Sequence, residues 1–400
     1  MEEHKIICDL SNCTGCYACA NVCPKQCISL EPDNYGITYP IVDMDKCINC
    51  NLCIKTCPVN NEIEYKYPIE CYASWDSNKA RRLKTASGGI GTALGRVVLQ
   101  HGGVYFGSRY DYNVQPIISY TEDIDDLKYF QGSRYVQSQV GSDILTKVRD
   151  FLCQDRAVVF VGTPCQISGL KHFLKRDFEK LVTVDLICHG VTPTKYFNDE
   201  VAYLSKKYKI HNYDDVRFRG NDGYNFQLTI WNGGNLLYPK ENFWTRLTHY
   251  FDFQDYYIKG FLNGLTLREN CYHCKYAKPS RISDITIGDF IGLGSKKKFE
   301  YPTFNVSSVT LNTKKGVDFF QEILEDPSYI SIKRHYSERL GYKPSLLEPS
   351  LKHHNYDSFR KLYLSYGFSK ALRLCFRKET FNRVKAFYID RVKRMLFRLK

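Results

Sequence analysis

The sequence predicts a small α+β module fused to a larger α/β domain, followed by a basic helical tail. Three observations lead to this fold class. One cysteine pattern occurs twice between residues 13 and 58, two apolar strand-like runs flank a helical pattern over residues 157–187, and Lys and Arg accumulate after residue 350. We expect domains at residues 1–65, 71–345 and 350–400, with a polar linker over 59–70 that Pro68 ends.

The small module contains two complete copies of the run C-x2-C-x2-C-x3-C-P, at residues 13–24 and 47–58. This run is typical of two-cluster bacterial ferredoxins, in which the fourth cysteine of each copy ligates the other cluster. Zinc is the usual alternative for a C-x2-C pair, but it takes four ligands and no doubled run of this form. We therefore predict two [4Fe-4S] clusters, one held by Cys13, Cys16, Cys19 and Cys57 and the other by Cys47, Cys50, Cys53 and Cys23.

Between the two runs, residues 28–42 alternate around Asn34-Tyr-Gly36 and predict a short hairpin.

The chain begins without the basic and apolar regions of a signal peptide, and no stretch approaches the roughly 18 uncharged apolar residues of a membrane span. We therefore expect a cytoplasmic protein whose 17 cysteines are reduced. The cysteines that fit no cluster pattern are interpreted as small apolar residues, namely Cys8, Cys27, Cys71, Cys153 and Cys375.

The larger domain opens with a serine- and glycine-rich turn at residues 87–89, before apolar positions at helical spacing from Ala93 to Val98. Free N–H groups and the helix dipole make such a turn an anion site. The turn alone is explained equally well by a capped helix without a ligand.

A βαβ unit is predicted over residues 157–187, where two apolar runs enclose a helix that includes Ile167 and Leu170. Cys165 follows the first predicted strand and Cys188 follows the second. Both therefore lie at the carboxyl ends of parallel strands, the edge at which open α/β sheets bind ligands. Farther along the chain, helical and strand-like patterns at 196–208, 216–218 and 226–231, with turns predicted at 221–223 and 232–234, lead to an aromatic-rich helical stretch over 243–261.

Cys271 and Cys274 precede a predicted strand at residues 283–289. Together with Cys165 and Cys188 they provide four thiolates, enough for a third [4Fe-4S] cluster. Two alternatives remain open at this point. Cys271 and Cys274 could bind zinc with other partners, or Cys165 and Cys188 could be ordinary buried thiols.

Five motifs occur in order over residues 71–300, and their residues are Thr85-Ala-Ser-Gly-Gly-Ile, Gly132-Ser-Arg-Tyr-Val-Gln-Ser138, Gly162-Thr-Pro-Cys-Gln166, Cys188-His-Gly-Val-Thr-Pro193, and Cys271-x2-Cys274 with Ser283-Asp-Ile-Thr-Ile-Gly-Asp289. Together they resemble the coenzyme F420 hydrogenase/dehydrogenase beta-subunit family. The family's C-H-G-x-P-S run reads Cys188-His-Gly-Val-Thr-Pro193 here, which is a departure from the pattern.

The resemblance implies a flavoprotein that binds FAD, with a [4Fe-4S] cluster close to the flavin. The family's cluster cysteines match Cys165, Cys188, Cys271 and Cys274. The residues that would contact the flavin are Ser87, Gly88, Gly89, Ser133, Arg134, Tyr135, Gln137, Ser138, Thr163, Pro164 and Gln166.

We therefore expect an iron–sulfur flavin-dependent oxidoreductase, in which electrons pass between the clusters and a flavin that exchanges hydride with a small organic substrate. By analogy alone, that substrate could belong to polysaccharide biosynthesis. The alternative is an electron-transfer subunit of a larger redox complex, without a substrate site of its own. Ferredoxin or another redox partner is expected in either case. His189 and His273 adjoin cluster ligands and could move protons, although backbone-bonded polar residues are the simpler interpretation.

The tail has fourteen Lys and Arg residues against three acidic residues over 351–400, in a chain whose net charge is +13. Apolar residues recur at three- and four-residue steps, which predicts a basic amphipathic helix. We expect this helix to dock on the protein's own body or on a partner. Contact with an anionic membrane, at its inner face, is the alternative. A basic tail is weak evidence for nucleic-acid binding, and we predict no nucleic-acid partner. The apolar residues are Phe381, Val384, Tyr388, Val392, Met395 and Leu399, and the basic ones are Arg383, Lys385, Arg391, Lys393, Arg394 and Arg398.

Overall fold

The computed structural model describes residues 5–220, 226–239, 255–341 and 344–398. The N-terminal segment consists of a hairpin between two short helices. Its elements are α1 (Ala18–Asn21), β1 (Ile28–Pro32), β2 (Thr38–Val42) and α2 (Leu52–Thr56). β1 and β2 pair antiparallel with Ile28 opposite Val42, which confirms the predicted hairpin.

The two cysteine runs repeat in backbone conformation as well as in sequence. Gly15 and Asn49 occupy equivalent positions and both have positive φ, 63° and 55°. Tyr17 and Asn51 are also equivalent, with φ of 62° and 59°. Left-handed residues at these points turn the chain sharply between cysteines, so that successive sulfurs can face one centre.

The rest of the chain is a mixed α/β structure. Its strands among the described residues are β3 (Glu70–Asp76), β4 (Val104–Tyr110), β5 (Pro116–Thr121), β6 (Val158–Gly162), β7 (Leu181–Leu186), β8 (Asp215–Arg217), β9 (Thr229–Asn232), β10 (Asn235–Tyr238), β11 (Ile285–Asp289), β12 (Ser307–Leu311) and β13 (Tyr329–Lys333). Its helices are α3 (Lys79–Leu83), α4 (Ile90–Gln100), α5 (Ile144–Cys153), α6 (Pro164–Leu174), α7 (Thr194–Tyr208), α8 (Tyr256–Leu262), α9 (Lys314–Glu325), α10 (Tyr336–Leu340), α11 (Tyr356–Tyr366) and α12 (Phe368–Arg398).

In the described part of the chain, eight strands form one large sheet in the order β13-β3-β12-β11-β7-β6-β4-β5. The central strands β4, β6, β7 and β11 are parallel, and the strands that flank them pair antiparallel. The parallel pairing of β6 and β7 across α6 confirms the predicted βαβ unit. Side chains alternate between the two faces, with Phe160 packed under α5 and α6 and Val159 packed under α4 and α9.

A further hydrophobic core lies beside the large sheet, in addition to the two on its faces. β8, β9 and β10 form a small antiparallel sheet, with a turn at Gly233 and Gly234 as predicted. Aromatic side chains of α7, α8, α11 and α12 pack together here, including Phe197, Tyr257 and Phe359. The predicted turn at residues 221–223, and residues 243–254 of the predicted aromatic helix, lie outside the described residues; α8 covers the end of that stretch.

The start of α12 is part of this core, because Phe368, Leu372 and Phe376 are buried in it. Phe381, by contrast, is 67% exposed. Most side chains that would form the two faces of the tail helix lie outside the described part. Among the described helices, none combines the length and the apolar character that crossing a membrane requires.

The predicted linker lies against the large domain. The backbones of Lys66 and Arg281 exchange two hydrogen bonds of 2.7 Å. The Lys275 side chain also reaches back to the carbonyl oxygens of Pro58 and Asn61. These contacts fix the N-terminal segment beside the large sheet.

Candidate functional site

The eight cysteines of the doubled run form two separate thiol sets. Each set surrounds a small void. Each set also takes one cysteine from the other copy of the run, Cys57 in the first and Cys23 in the second, as the sequence predicts. We call them the inner set (Cys13, Cys16, Cys19 and Cys57) and the outer set (Cys23, Cys47, Cys50 and Cys53).

A third set consists of the remaining predicted ligands. Cys165 lies at the N-terminus of α6, Cys188 follows β7, and Cys271 and Cys274 lie at the 3₁₀ turn Glu269–His273. The structure brings these four thiols together, since Cys188 interacts with each of the other three. Gly190 permits this arrangement, because a Cβ at its φ of +135° would lie 2.7 Å from Leu267 and 3.3 Å from Cys271. We call these cysteines the third set.

The pKa values of the third set show how costly four thiolates would be without a compensating cation. Burial raises the pKa of Cys271 to about 12 and that of Cys274 to about 11. Burial, reinforced by the three neighbouring thiols, raises the pKa of Cys188 well above its ordinary value. Bound iron would supply the positive charge that stabilises deprotonated sulfurs here.

The spacing of the sulfurs fits an iron–sulfur cube better than zinc. Among the described residues, only His353, His354 and Glu379 bring three ligand atoms within 4.8 Å of one another. No three sulfurs of one set therefore lie as close together as in a tetrahedral zinc site, where Zn–S bonds of about 2.3 Å place the sulfurs roughly 3.8 Å apart. No described cysteine forms a disulfide.

In the histidine and glutamate group, His353 and Glu379 face each other at a distance too long for a hydrogen bond. The backbone N–H of Asn355 donates to His353 Nδ1 at 3.1 Å. A neutral His353 ring then carries its proton on Nε2, which faces Glu379 at 3.6 Å. This contact links the loop before α11 to α12.

The inner set lies directly against the third set. Gly169, on the helix α6 that begins with Cys165, packs so close to the inner set that an added Cβ would lie 2.8 Å from Cys16 Cβ and 3.0 Å from its Sγ. Because four residues of α-helix rise about 6 Å, Cys165 and Cys16 are near neighbours.

Arg268 is a second connection between the inner and third sets. Its side chain is buried, its guanidinium donates to the Cys13 carbonyl oxygen at 3.0 Å, and it also donates to Gln137 Oε1. The positive charge favours the thiolate form of Cys13, Cys165 and Cys271, although burial still leaves the pKa of Cys165 and Cys271 above the ordinary value. Arg268 therefore contacts the inner set and influences both.

The outer set lies at the surface. Cys50 is exposed, and the neighbouring Ile48 is 57% exposed. The inner set is more enclosed, with Cys13, Cys16 and Cys57 all buried. The three sets therefore follow one another from the protein surface to the edge of the large sheet.

A cavity of about 270 Å³ lies next to the third set, at the carboxyl ends of β6, β7 and β11. This volume is near the lower end of small-molecule sites. Cys165 and Cys188 line it, so the third set lies in its wall. Of the residues predicted to contact a flavin, all line the cavity except Gly88 and Pro164.

Gly88 and Pro164 do not line the cavity, and their contacts stabilise the fold instead. Gly88 packs on the sheet, where an added Cβ would lie 2.2 Å from the Ser74 carbonyl oxygen, and its N–H donates to Ser307 Oγ at 2.9 Å. Pro164 is the buried first residue of α6, a position that suits proline because no N–H is needed there.

Thr163 and Gln166 hold the cavity wall in place. Gln166 Oε1 accepts from the Thr163 N–H at 2.9 Å, forming part of the capping box that begins α6. The Gln166 amide donates to the Ser138 carbonyl oxygen at 2.9 Å. Ser138 Oγ lies 2.6 Å from Ser108 Oγ on β4. Segment 133–138 is thus tied to both α6 and the sheet.

A charged network crosses the opposite wall. Arg219 donates to both oxygens of Asp289 at 3.0 and 3.1 Å, and Ser87 Oγ donates to the same carboxylate. The Tyr135 hydroxyl lies 3.5 Å from Arg219, and the Tyr135 ring stacks on Phe261 with centroids 4.8 Å apart. Sequence reasoning did not single out Arg219 or Arg268, and it used Asp289 only as the end of a family motif.

The two histidines beside the third set differ in their surroundings. His189 faces the cavity, with Nε2 3.2 Å from the Phe261 carbonyl oxygen and Nδ1 3.2 Å from Ser350 Oγ. His273 has a side chain that is 63% exposed, 4.0 Å from Glu269. The contacts of His189 agree with the simpler interpretation of a backbone-bonded polar residue.

The motif at residues 283–289 serves two purposes. Ser283 Oγ donates to Asp185 at 2.7 Å, and Arg281 forms a buried ion pair with the same carboxylate at 2.7 Å. Asp284 accepts from the N–H and hydroxyl of Thr183. These residues hold β11 to β7, whereas Asp289 at the end of the strand lines the cavity.

Comparisons with known proteins agree with the motifs. Residues 12–61 match the model of the 4Fe-4S dicluster domain, and residues 155–335 match that of the C terminus of the coenzyme F420 hydrogenase/dehydrogenase beta subunit. The second match includes the third set but neither the Ser87 turn nor segment 133–138. No curated protein matches the chain.

A chain of the F420-reducing [NiFe] hydrogenase complex from Methanosarcina barkeri is similar, with a TM-score of 0.44 and 18% identity over 79% of this chain and 94% of that one. A likeness of that size assigns no function by itself. The family matches and the cysteine sets together show an iron–sulfur redox protein that has a 4Fe-4S dicluster domain and is related, over residues 155–335, to the coenzyme F420 hydrogenase/dehydrogenase beta subunit.

Proposed function

We propose that this chain is an iron–sulfur flavin-dependent oxidoreductase with three [4Fe-4S] clusters and one FAD. The observation that carries the proposal is the succession of the outer, inner and third sets, which ends in the wall of a cavity. In this proposal, residues 1–65 hold two clusters, residues 71–345 hold the third cluster and the flavin, and residues 350–400 form the basic helical region.

The cavity supports flavin binding through its lining. Helix α4 begins at its edge, and the free N–H groups of its first turn suit the phosphates of a dinucleotide. Tyr135 and Phe261 form an apolar stacked wall suited to a ring system. When bound, a flavin supplies the exchange between hydride transfer and single-electron transfer.

The chain's own residues would orient the cofactor and keep the clusters close. Gln166 and Thr163 fix segment 133–138 against α6. Arg268 holds Gln137 and the Cys13 loop together. Arg219 and Asp289 offer a hydrogen-bonding pair to a polar ligand, next to the Tyr135 hydroxyl.

Electrons would enter or leave at the outer set, because Cys50 and Ile48 are exposed there. A ferredoxin or another small redox protein is the expected partner. The part of the chain that follows the buried start of α12 carries seven Lys and Arg residues against Asp390 over 383–400, and we propose that it contacts an anionic membrane surface. Sugars and sugar nucleotides, by analogy, are the first substrates to screen.

The proposal is tested by following the absorbance of bound flavin while a low-potential one-electron donor is added without oxygen. We expect the wild-type flavin to be reduced through the clusters. Cys165→Ser should lower the iron content by about four atoms per chain and slow this reduction at least tenfold, with the dicluster signals retained. Equal rates in the two proteins would contradict a path through the third set.

The alternative is an electron-transfer subunit that binds no substrate. The same flavin absorbance distinguishes the two functions when organic donors are screened with the chain alone. Reduction of the flavin by any such donor supports the enzyme. If no organic donor reduces the flavin, while the one-electron donor still does, the electron-transfer subunit is favoured.

A further inference from the structure

A fifth cysteine lies beside each of the two thiol sets of the N-terminal segment. Cys8 lines the void of the inner set, and Cys27 lines the void of the outer set. Both are buried, at 6% and 5% exposed. Neither belongs to the doubled run, and a [4Fe-4S] cluster needs only four thiolates. Each void therefore has one thiol more than its cluster requires.

The two fifth thiols lie beside ligand sulfurs. Cys27 Sγ lies 3.4 Å from Cys23 Sγ, within the range of an S–H···S hydrogen bond. Cys8 shares the wall of the inner void with Cys13 and Cys57. Once iron is bound, the ligands are thiolates without a proton, so in each contact the fifth thiol is the donor.

The internal repeat shows that these thiols are not needed to form the fold. Cys8 lies five residues before the first cysteine of its run, and the equivalent residue of the second run is Val42, which is buried and lines the outer void. Cys27 lies four residues after the fourth cysteine, where the second run has Asn61. An apolar valine fills one equivalent position, so shape alone does not require sulfur.

We propose that Cys8 and Cys27 are non-ligating thiols that each donate an S–H hydrogen bond to the ligand sulfurs of one cluster and thereby raise its reduction potential. Hydrogen bonds to cluster sulfurs are among the factors that set these potentials. A donor stabilises the reduced cluster more than the oxidised one, because the reduced cluster carries more negative charge. Cys8 acts on the inner cluster and Cys27 on the outer cluster, so each is adjusted separately.

The test is a redox titration of the holoprotein without oxygen, followed by electron paramagnetic resonance of the reduced clusters. The variants are Cys8→Val, which copies Val42, and Cys27→Ala. We expect each to shift one midpoint potential downward and leave the other in place, with iron content unchanged. Cys8→Ser keeps a donor and should stay closer to wild type. Cys153→Ala removes an exposed thiol of α5 and should shift neither potential.

Two results would overturn the proposal. The first is unchanged potentials in both Cys8→Val and Cys27→Ala. The second is the loss of about four irons from either variant, which would make the fifth thiol a ligand. Pulsed resonance of the wild-type protein needs no variant to fold, since exchange into deuterated buffer must remove a proton coupling from the signal of each reduced cluster. A signal without any exchangeable proton coupling would also contradict the proposal.

Discussion

At the scale of single residues, Arg268 connects two cluster sites. Its side chain is only 1% exposed, and it bonds the Cys13 carbonyl oxygen and the Gln137 side chain. A buried positive charge at this point would stabilise the electron-rich state of clusters held by the inner and third sets. The same fork of donors joins the Cys13 loop to Gln137 in the cavity wall.

Replacing Arg268 with Gln should lower the reduction potentials of the inner and third clusters. Coulomb's law with an effective dielectric of about 20 gives on the order of 1–3 kcal/mol per electron at 6–15 Å. Arg268→Lys keeps the charge and should retain most of the potential. Redox titration measures both variants, and a Gln variant with wild-type potentials would show that the charge has no such role.

Gly169 is the closest contact between α6 and the inner set. Alanine normally stabilises a helix over glycine by about 1 kcal/mol. Here the added Cβ would lie 2.8 Å from Cys16 Cβ, and overpacking typically costs 1–3 kcal/mol. We expect Gly169→Ala to destabilise the protein by up to about 2 kcal/mol and to change the resonance spectrum of the inner cluster.

Gly341→Ala is the matched control, because its nearest neighbour would be the Ser337 carbonyl oxygen at 3.9 Å. Thermal unfolding and the spectrum of the reduced clusters measure the two variants side by side. A Gly169→Ala protein that resembles the Gly341→Ala protein in both readouts would contradict the close approach of α6 and Cys16.

At the scale of elements, α7 and α12 are joined by a buried carboxyl group. Glu200 on α7 is 5% exposed and accepts a hydrogen bond from Ser369 on α12. Burial raises its pKa to about 7. The folded protein therefore binds a proton here that the unfolded chain has already lost above pH 4.5, and stability falls as pH rises between those values.

Glu200→Gln should remove this loss. Between pH 5.5 and pH 8, the free energy of unfolding of the variant relative to that of wild type should rise by about 2 kcal/mol, since each pKa unit corresponds to about 1.4 kcal/mol. Asp255, whose pKa burial raises to about 6, contributes the same trend in both proteins. Glu179→Gln changes an exposed carboxylate and should show no such gain. Unfolding curves that stay parallel across this pH range would be inconsistent with a protonated Glu200.

Elements that are determined by short stretches of sequence could be predicted, whereas contacts between distant segments could not. The hairpin β1–β2 and the unit β6-α6-β7 were predictable because alternation, apolar runs and the Thr163 to Gln166 capping pattern all lie within short stretches. The place of Cys165 and Cys188 at one sheet edge followed from the parallel pairing. The contacts of Gly169 with Cys16 and of Arg268 with Cys13 could not be predicted, because they join segments more than a hundred residues apart.

At the scale of the whole molecule, the start of α12 belongs to the body and its continuation carries the charge. Phe368 and Phe376 are buried, whereas Phe381 is exposed. The docking predicted from sequence concerns residues 381–399, whose side chains mostly lie outside the described part of the chain, so it stays a prediction. The flavin residues were placed by a family resemblance, and the roles of Cys8 and Cys27 became visible only when folding placed them in the thiol voids.

Removing residues 380–400 should weaken binding to anionic lipid vesicles at least tenfold, because each basic residue near such a surface contributes about 1 kcal/mol. Cosedimentation with anionic and with neutral vesicles measures this, and the iron content shows that the body is intact. Unchanged binding to anionic vesicles would show that the tail does not contact the membrane.

The central claim is that three clusters lead to one flavin. The most direct test is the amount of iron, acid-labile sulfide and released flavin per chain, in protein purified without oxygen. We predict about twelve irons, about twelve sulfides and about one FAD. About eight irons without flavin would contradict the account, leaving a dicluster domain on a scaffold without a third cluster.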